Sequence, residues 1–355
     1  MTSKVWFVPL SDASPLAHRV AAVDRLWEAA AVDSRISAGQ YVAIKVHVGD
    51  EKNTTHLPAD LVTPIVRRTK SRDALPFLTE TSTLYAGARH NAVRHILHAA
   101  THGFTIEKTG VPFIMADGLA GDAEIEVPID GELFSTVSVA REARMADVLV
   151  VISHMTGHLA AGFGATIKNL GMGLASRKGK MRQHSSIKPE IRPDKCTLCG
   201  KCVEWCPEGC IAPDGDVARI DSSRCIGCGE CLAVCRFGAV RFDWEADASW
   251  MQAAMAEHAL GVVKDRPAFH INYCCTMTKD CDCFPIDQTQ VIPDVGILAS
   301  FDPVAVDQAA LDLTVQGDGR NLAQLSFEKV DGNVQLVHAE KIGLGSRKYE
   351  LVELR

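Results

Sequence analysis

Eight of the thirteen cysteines lie between Cys196 and Cys235, in two copies of one spacing pattern that are 29 residues apart. The first copy is Cys196, Cys199, Cys202 and Cys206, and the second is Cys225, Cys228, Cys231 and Cys235. Three thiolates so closely spaced can bind three corners of an iron–sulfur cube, while the fourth cysteine points to the other cube. The pattern therefore predicts two [4Fe–4S] clusters with exchanged ligands. One cluster takes Cys196, Cys199, Cys202 and Cys235, and the other takes Cys225, Cys228, Cys231 and Cys206.

A pair of zinc sites is the alternative, but zinc sites normally use two Cys-x-x-Cys knuckles and not two runs of four. The two copies differ after their last cysteine, where Pro207 is replaced by Arg236, and the ligand itself is retained. Cys210 is a ninth cysteine, and the repeat aligns it with Ala239, which favours a packed thiol over a ligand. Between the copies, residues 213–215 (Pro-Asp-Gly) predict the turn of a small hairpin. The whole segment resembles a bacterial-type two-cluster ferredoxin.

Composition limits what the remaining chain can be. Its 355 residues leave room for a large core, and hydrophobic and charged fractions of 47% and 23% are ordinary for a globular protein. A net charge of −7 without a basic stripe argues against nucleic acid as a partner. We find no run of eighteen apolar residues and no signal-peptide core, so we expect a cytoplasmic protein that does not enter the membrane. Its cysteines should then be metal ligands or reduced thiols.

Strand-like and helix-like segments alternate on both sides of the cysteine-rich segment. We predict strands at 4–9, 41–46, 75–80, 148–152, 268–273 and 295–299, with further apolar segments at 111–116 and 124–129. We predict helices at 15–32, 58–70, 86–103, 246–262 and 303–315. This alternation predicts an α/β fold with a largely parallel sheet. Residues 1–189 and 246–355 should form that α/β domain, and residues 190–245 should form an inserted small α+β ferredoxin-like domain.

Polar side chains gather where the predicted strands end. In open α/β sheets ligands bind at the carboxyl ends of strands, so we expect these groups to line one cleft, although each alone could simply satisfy a loop. The candidate site residues are Lys45, His47, Tyr85, His158, Lys168, Arg177 and His184. The three lysine and arginine side chains would orient an anionic substrate, and the histidines or the tyrosine would supply a proton.

A glycine-rich stretch at 162–173 contains Lys168 and precedes a basic run that includes Arg177. Its spacing fits neither a Walker loop nor a dinucleotide-binding fingerprint. Two interpretations remain, namely an anion-binding site and an exposed basic surface beside the cysteine-rich segment.

Cys281 and Cys283 flank Asp282, so in an extended backbone both thiols project to the same side. That arrangement suits a soft metal ion, with His154, His158 or His184 as partners. A buried pair of reduced cysteines and a redox-active dithiol are the alternatives.

Five separated segments resemble the hallmark segments of the domain of unknown function 362 family. They are K-V-H-V-G at 45–49, T-x-T-x-Y at 81–85, K-N-L-G-M-G at 168–173, D-C-D-C at 280–283 and S-F-D-P-V-A-V-D at 300–307. The resemblance runs from about residue 4 to the C-terminus. Members commonly carry an inserted two-cluster ferredoxin, so the resemblance implies the architecture predicted above. It implies no substrate, because the family has no settled activity.

Two functions are compatible with these features. In the first, an iron–sulfur oxidoreductase of anaerobic metabolism transfers single electrons from its clusters to a small, anionic substrate, or to an additional metal or flavin, in the α/β cleft. A redox partner or low-potential donor would supply the electrons, and homo-oligomers are compatible with the sequence. In the second, the protein is an electron carrier or a metallocentre maturation factor for a partner enzyme. About 300 residues outside the cysteine-rich segment are more than a carrier needs, which favours the first.

Overall fold

The computed structural model describes residues 2–85, 87–184, 188–225, 230–241 and 248–354, with backbone only at 230 and 233. Cys228, one of the eight predicted cluster ligands, therefore lies outside the described residues. No helix in the described part of the chain has the length and hydrophobicity that a bilayer crossing requires.

Strands and helices alternate along much of the chain. The strands are β1 (Ser3–Pro9), β2 (Tyr41–Lys45), β3 (Leu75–Glu80), β4 (Phe113–Met115), β5 (Glu124–Pro128), β6 (Thr136–Ala140), β7 (Val148–His154), β8 (Thr156–His158), β9 (Gly162–Gly164), β10 (Glu190–Ile191), β11 (Ile211–Asp214), β12 (Val217–Ile220), β13 (Val240–Arg241), β14 (Ala268–Cys274), β15 (Gly296–Ser300) and β16 (Tyr349–Glu353). The helices are α1 (Leu16–Ala29), α2 (Thr63–Lys70), α3 (Ala92–Thr101), α4 (Ile106–Thr109), α5 (Arg141–Met145), α6 (Thr166–Gly171), α7 (Arg177–Gln183), α8 (Lys201–Glu204), α9 (Glu230–Val234), α10 (Ala248–Val263), α11 (Pro303–Leu313), α12 (Leu322–Ser326) and α13 (Asn333–Lys341), with short 3-10 helices at Val32–Arg35 and Ala59–Val62.

A central sheet of eight strands carries the fold, in the order β16-β1-β15-β14-β7-β2-β3-β4. Each neighbouring pair is parallel except the two that involve β15. The prediction of an α/β fold with a largely parallel sheet is therefore confirmed. β15 is antiparallel to β14 because the chain between them is a loop without the crossover helix that usually connects parallel strands.

Both faces of the sheet are buried, as a parallel sheet requires. In β7, Leu149 and Val151 belong to one core, which also contains residues of α6, α10 and α11. Val150 and Ile152 belong to the opposite core, together with residues of α1 and α2. The run of apolar residues at 148–152 thus fills two cores, which explains its lack of polar alternation.

The helix predicted at 86–103 begins later than its pattern indicates. α3 begins at Ala92, because Asn91 is its N-cap and accepts a hydrogen bond from the backbone N–H of Arg94 at 3.1 Å. Residues 87–91 consequently stay in a loop that carries Arg89 towards the carboxyl ends of the strands. The prediction also missed β16, which pairs in parallel with β1.

The segment 300–307 holds α6 in place. Asp307, fully buried on α11, accepts hydrogen bonds from the backbone N–H groups of Thr166 and Ile167 at 2.9 and 2.8 Å and from Asn272 Nδ2 at 2.7 Å. The two backbone donors lie at the N-terminus of α6, where N–H groups have no partner within the helix. Asp307 therefore fixes the short helix that carries Lys168.

Replacing Asp307 with alanine should lower the free energy of unfolding by about 3–5 kcal/mol, because it leaves three buried donors without an acceptor. Urea unfolding would measure the change. Asp312 is the matched control, since it lies on the same helix but is exposed, and Asp312→Ala should cost less than about 1 kcal/mol. Equal losses for the two variants would contradict this role of Asp307.

The cysteine-rich segment enters and leaves through adjacent strands. β10 pairs antiparallel with β13, with Glu190 opposite Arg241, so the two ends of the segment lie side by side. Within it, β11 and β12 form the predicted hairpin, with Ile211 opposite Ile220. A separate small core contains Cys210, Ile211 and Ala218, with several of the other cysteines packed against it.

Candidate functional site

A cleft of about 680 Å³ opens at the carboxyl ends of β2, β3 and β7. Six of the seven predicted site residues line it, together with both cysteines of the 281–283 pair. These eight residues are Lys45, His47, Tyr85, His158, Lys168, His184, Cys281 and Cys283. Lining residues that the sequence analysis did not single out as site residues include Glu80, Arg89, Asn169, Lys180 and Asp282.

Glu80 is a buried carboxylate at the end of β3, and it organises one wall of the cleft. Its Oε1 lies 3.2 Å from Lys45 Nζ and 2.9 Å from His47 Nδ1, and its Oε2 lies 2.6 Å from His95 Nε2. Burial alone would raise the pKa of Glu80, but the neighbouring Lys45 and His47 outweigh it and hold that pKa well below its usual value. Glu80 is therefore ionised.

Lys45 has no hydrogen left for a ligand. Besides Glu80, its Nζ donates to the carbonyl of Val46 and to Asn169 Oδ1, the latter at 2.8 Å. An ammonium has three donors, and all three are used. Asn169 in turn donates to Ser153 Oγ at 3.0 Å. Lys45 thus connects β3 to α6 and positions the cleft wall.

Cys281 is a buried sulfur with several donors around it. Lys168 Nζ donates to its Sγ at 2.9 Å, and the backbone N–H of Cys283 donates at 3.4 Å. A hydrogen bond from the Cys283 thiol, the Lys168 charge and a hydrogen bond with His47 together overcome burial and hold the pKa of Cys281 well below its usual value. The same hydrogen bond and burial raise the pKa of Cys283. The Lys168 contact and these two directions favour the thiolate at Cys281 and the thiol at Cys283.

His47 lies between this thiolate and Glu80. Burial would lower the pKa of His47, but the Glu80 charge and the hydrogen bond to Cys281 outweigh it and raise that pKa. Among the predicted proton donors, His47 is thus suited to be a charged imidazolium that can release a proton.

His158 and His184 are neutral in this cleft. Burial and the nearby Lys168 lower the pKa of His158 to about 3, and its Nδ1 accepts hydrogen bonds from the backbone N–H groups of Ala160 and Ala161 at 3.2 and 3.0 Å. Burial lowers the pKa of His184 to about 4. Both side chains can hydrogen bond to a ligand but are poor sources of a proton.

Arg89 reaches the cleft from the loop before α3. Its Nε and Nη2 donate to Asp50 Oδ2 at 3.2 and 3.1 Å, and it also donates to the hydroxyl of Tyr85. That hydroxyl lies 3.2 Å from the carbonyl of Cys283. Arg89 lies within the helix predicted at 86–103, and for that reason its sequence position did not indicate a site residue.

Arg177 is not among the residues that line the cleft, although the sequence analysis placed it there. Its guanidinium donates to the carbonyls of Thr83 and His90 at 3.2 and 2.6 Å, so it holds the loop that carries Tyr85. Lys180, one turn further along α7, does line the cleft, and its Nζ donates to Thr81 Oγ1, the carbonyl of Ser82 and that of Ala175. Arg177 and Lys180 are both buried, so these two residues of the basic run are not part of an exposed surface, whereas Lys188 is exposed.

The proposed histidine partners of a metal at the 281–283 pair already have other contacts. His154 Nδ1 lies 2.7 Å from Asp282 Oδ2, and its Nε2 lies 2.9 Å from the carbonyl of Cys275. His158 uses its Nδ1 for backbone donors. Among the described residues, no three His, Cys, Asp or Glu side chains converge closely enough to hold a single metal ion.

The described cysteines of the cysteine-rich segment fall into two groups. Cys196, Cys199, Cys202 and Cys235 line one small cavity of about 20 Å³, and they are the four that the spacing assigns to one cluster. Of the other set, Cys206 and Cys225 lie beside Cys210, which is 3.3 Å from Cys206 between sulfur atoms. Four thiols around a common cavity fit the donor set of a [4Fe–4S] cluster, whose ligands bind four irons and need not converge on one ion.

The last cysteine of each copy accepts an equivalent backbone hydrogen bond. The N–H of Cys210 donates to Cys206 Sγ at 3.4 Å, and the N–H of Ala239 donates to Cys235 Sγ at 3.3 Å. These pairs are related by the 29-residue repeat. Cys210 therefore occupies the position that alanine takes in the second copy, and both residues are buried.

Comparisons with known proteins place the α/β domain in a family. The family described as "Domain of unknown function (DUF362)" matches residues 42–312, about three quarters of the chain. The chain belongs to the DUF362 family. In this DUF362 protein, the resembling segments at 45–49, 81–85, 168–173 and 280–283 all contribute to the cleft, and the segment at 300–307 holds α6 beneath it.

Similarity to curated proteins covers a much shorter stretch. Two proteins called pyruvate synthase subunit PorD match over 54 residues, one from Methanothermobacter marburgensis at 39% identity and one from Methanothermobacter thermautotrophicus at 37%. Each match covers 15% of this DUF362 chain and 63% of the relative, so the chain spans less than two thirds of those proteins.

Two solved structures are similar to this DUF362 chain at low identity. A Thermotoga maritima protein is 11% identical with a TM-score of 0.44, covering 90% of this chain and 61% of its own. The lactate racemase apoprotein from Thermoanaerobacterium thermosaccharolyticum is 12% identical with a TM-score of 0.39, covering 77% of this chain and 51% of its own.

Proposed function

We propose that this DUF362 protein is an iron–sulfur oxidoreductase whose residues 190–245 form a two-cluster ferredoxin-like domain inserted in the α/β domain. Two [4Fe–4S] clusters, when bound, would supply single electrons to a small anionic substrate in the cleft. The similarity to PorD over 54 residues supports an iron–sulfur electron-transfer role. The cysteine geometry supports the exchanged ligand sets.

The observation that carries the proposal is the shared wall between the cysteine-rich segment and the cleft. Met181 of α7 belongs to the small core of the segment, and Leu84 packs against that core. Leu84 also lines the cleft, as do Lys180 and His184 on either side of Met181. α9, which carries the buried Cys231, contacts α7. α7 therefore lies between the helix that carries Cys231 and the candidate site.

The cleft residues then have distinct roles. Lys168, next to the Cys281 sulfur, would attract an anionic substrate, and His47 would deliver a proton when charge develops on it. His158 would orient the substrate as a neutral hydrogen-bonding group. Lys45 would act as a positioning residue through Glu80, because its own hydrogens are already used.

Anaerobic iron and sulfide analysis with electron paramagnetic resonance tests the cluster content. We expect about eight irons per chain both in the native protein and in a Cys281→Ala/Cys283→Ala double variant. A further metal that disappears in the double variant would instead place a third centre at Cys281 and Cys283. An iron content near zero after anaerobic purification and reconstitution would contradict the proposal.

Substrate reduction is tested by reducing the protein with dithionite, removing the excess and adding a panel of anionic disulfides, carbonyl compounds and nitro compounds. Reoxidation by the true substrate class should be at least tenfold slower in His158→Ala and Lys168→Met, with iron content unchanged. Lys70→Met, at an exposed site, is the control and should behave like the native protein.

A carrier or metallocentre maturation factor is the second candidate function. The observation that favours it is the likeness to PorD, whose name describes a subunit of a larger enzyme. If every compound reoxidises the cleft variants as fast as the native protein, substrate reduction is wrong and the carrier function is supported.

A further inference from the structure

Cys281 and Cys283 differ from the other described cysteines of the α/β domain in facing the cleft. Cys274 and Cys275 are completely buried and do not line it. Cys281 and Cys283 line the cavity of about 680 Å³, and neither is in a disulfide. Their separation by one residue in a turn, with the N–H of Cys283 directed to Cys281 Sγ, keeps the two sulfurs together.

The surroundings of the two sulfurs are asymmetric. Lys168 Nζ contacts Cys281 Sγ at 2.9 Å, and His47 hydrogen bonds to the same sulfur. A cation beside a thiolate is the usual means of activating a cysteine as a nucleophile. Cys283 lies next to Cys281 and can therefore attack a mixed disulfide formed at Cys281.

We propose that Cys281 and Cys283 form a redox-active dithiol that reduces the disulfide bond of a small, anionic molecule bound in the cleft. The cavity provides room for such a ligand, and Lys168 provides the positive charge. Chemistry at a carbon electrophile would need only one thiol, whereas disulfide exchange uses both.

The exchange proceeds in two steps. The Cys281 thiolate attacks one sulfur of the substrate, the substrate S–S bond breaks, and the first product leaves as a thiolate that takes a proton from His47. Cys283 then attacks Cys281 Sγ, the mixed disulfide breaks, and the second product leaves with the Cys283 proton. Two thiols of the protein have become one disulfide, and two electrons have passed to the substrate.

Repeated turnover rests on the proposed function, because two single electrons and two protons must restore the dithiol. A single exchange with the substrate requires no electrons from the clusters, so it occurs once per chain even when the dithiol is not regenerated. The two proposals can therefore fail separately.

The test uses the intact protein, purified anaerobically, with the dianionic disulfide 5,5′-dithiobis(2-nitrobenzoate) as probe. We expect rapid release of about two nitrothiobenzoate ions per cleft and a Cys281–Cys283 disulfide in peptide mass mapping. Cys283→Ser should release about one and retain the other half of the probe on Cys281. Lys168→Met should slow the release at least tenfold. Cys275→Ser, at a buried thiol outside the cleft, should leave release and products unchanged.

Iron and sulfide are measured on the same samples. Rapid formation of the internal disulfide in protein without iron would support the redox-active dithiol and contradict the proposed clusters. A full iron content with unreactive cleft cysteines would support the clusters and contradict the dithiol. Circular dichroism identifies a variant that fails to fold. In that case the reaction products of the native protein alone test the inference. The inference is overturned if the native protein stops at a mixed disulfide, or if the probe reacts first at any cysteine other than Cys281.

Discussion

Replacing Cys206 with alanine is expected to remove iron from both halves of the cysteine-rich segment, although Cys206 belongs to the first copy of the pattern. Its proposed cluster takes its other ligands from the second copy, and the Cys196 cluster takes Cys235 in exchange. Metal binding and folding are coupled where no site forms in advance. Each half of the segment provides ligands to both clusters, so loss of one cluster should also destabilise the binding site of the other. We expect fewer than about four irons per chain, instead of about eight.

Cys210→Ala is the matched control, since its sulfur lies only 3.3 Å from that of Cys206. If Cys210 is a packed thiol, as its alignment with Ala239 indicates, this variant keeps its full iron content. Iron and sulfide analysis measures the effect, and hydrogen exchange over residues 190–241 follows the folding of the segment. One fully native cube in a folded segment of Cys206→Ala would refute the exchanged ligand sets.

Acidification from pH 6.5 to 4 is expected to destabilise the α/β domain strongly through its buried histidines. His258 and His270 are fully buried, and burial lowers the pKa of His258 to about 4 and that of His270 to about 3. Neither nitrogen of His270 has a hydrogen-bond partner among the described residues. In the unfolded chain both side chains bind a proton near pH 6.5, whereas in the folded chain they do not.

The unfolded chain therefore binds more protons than the folded chain between these pKa values. Stability from these two residues is fully present above pH 6.5 and is lost as the pH falls towards the folded-state values. At ~1.4 kcal/mol for each pH unit and residue, the loss by pH 4 is on the order of 7 kcal/mol, comparable with the total stability of many domains.

Urea unfolding at several pH values, compared between the native protein and His270→Leu, measures the contribution and separates it from acid damage to the clusters. About half of the contribution of the His258 and His270 pair should disappear in this variant, because leucine cannot take up a proton. His18→Leu, at an exposed site, should unfold with the native pH dependence. Parallel pH curves for all three proteins would show that buried histidines do not determine acid stability.

The sequence by itself determined the fold class and the family. Apolar runs such as 148–152 predicted strands, and the structure buries this strand on both faces, as its lack of polar alternation indicates. The helix predicted at 303–315 begins at Pro303 in the structure, where the Asp302 side chain accepts hydrogen bonds from the backbone N–H groups of Val304 and Ala305, because capping depends on neighbours in the chain. The cysteine spacing likewise predicted a ligand pattern, since the distance between thiols in a short loop depends mainly on local backbone geometry.

Only the tertiary structure decided which polar groups share a site and in what state. Lys168 and Cys281 are 113 residues apart in sequence, yet their side chains are 2.9 Å apart because α6 and the loop after β14 meet at one edge of the sheet. The sequence predicted that the positive charge of Arg177 faces the cleft. In the structure Arg177 instead binds the carbonyls of Thr83 and His90, and Lys180 lines the cleft wall. A sequence pattern gives the residue types near a strand end, whereas burial and partners across the fold determine which cation remains for a ligand and which histidine keeps a proton.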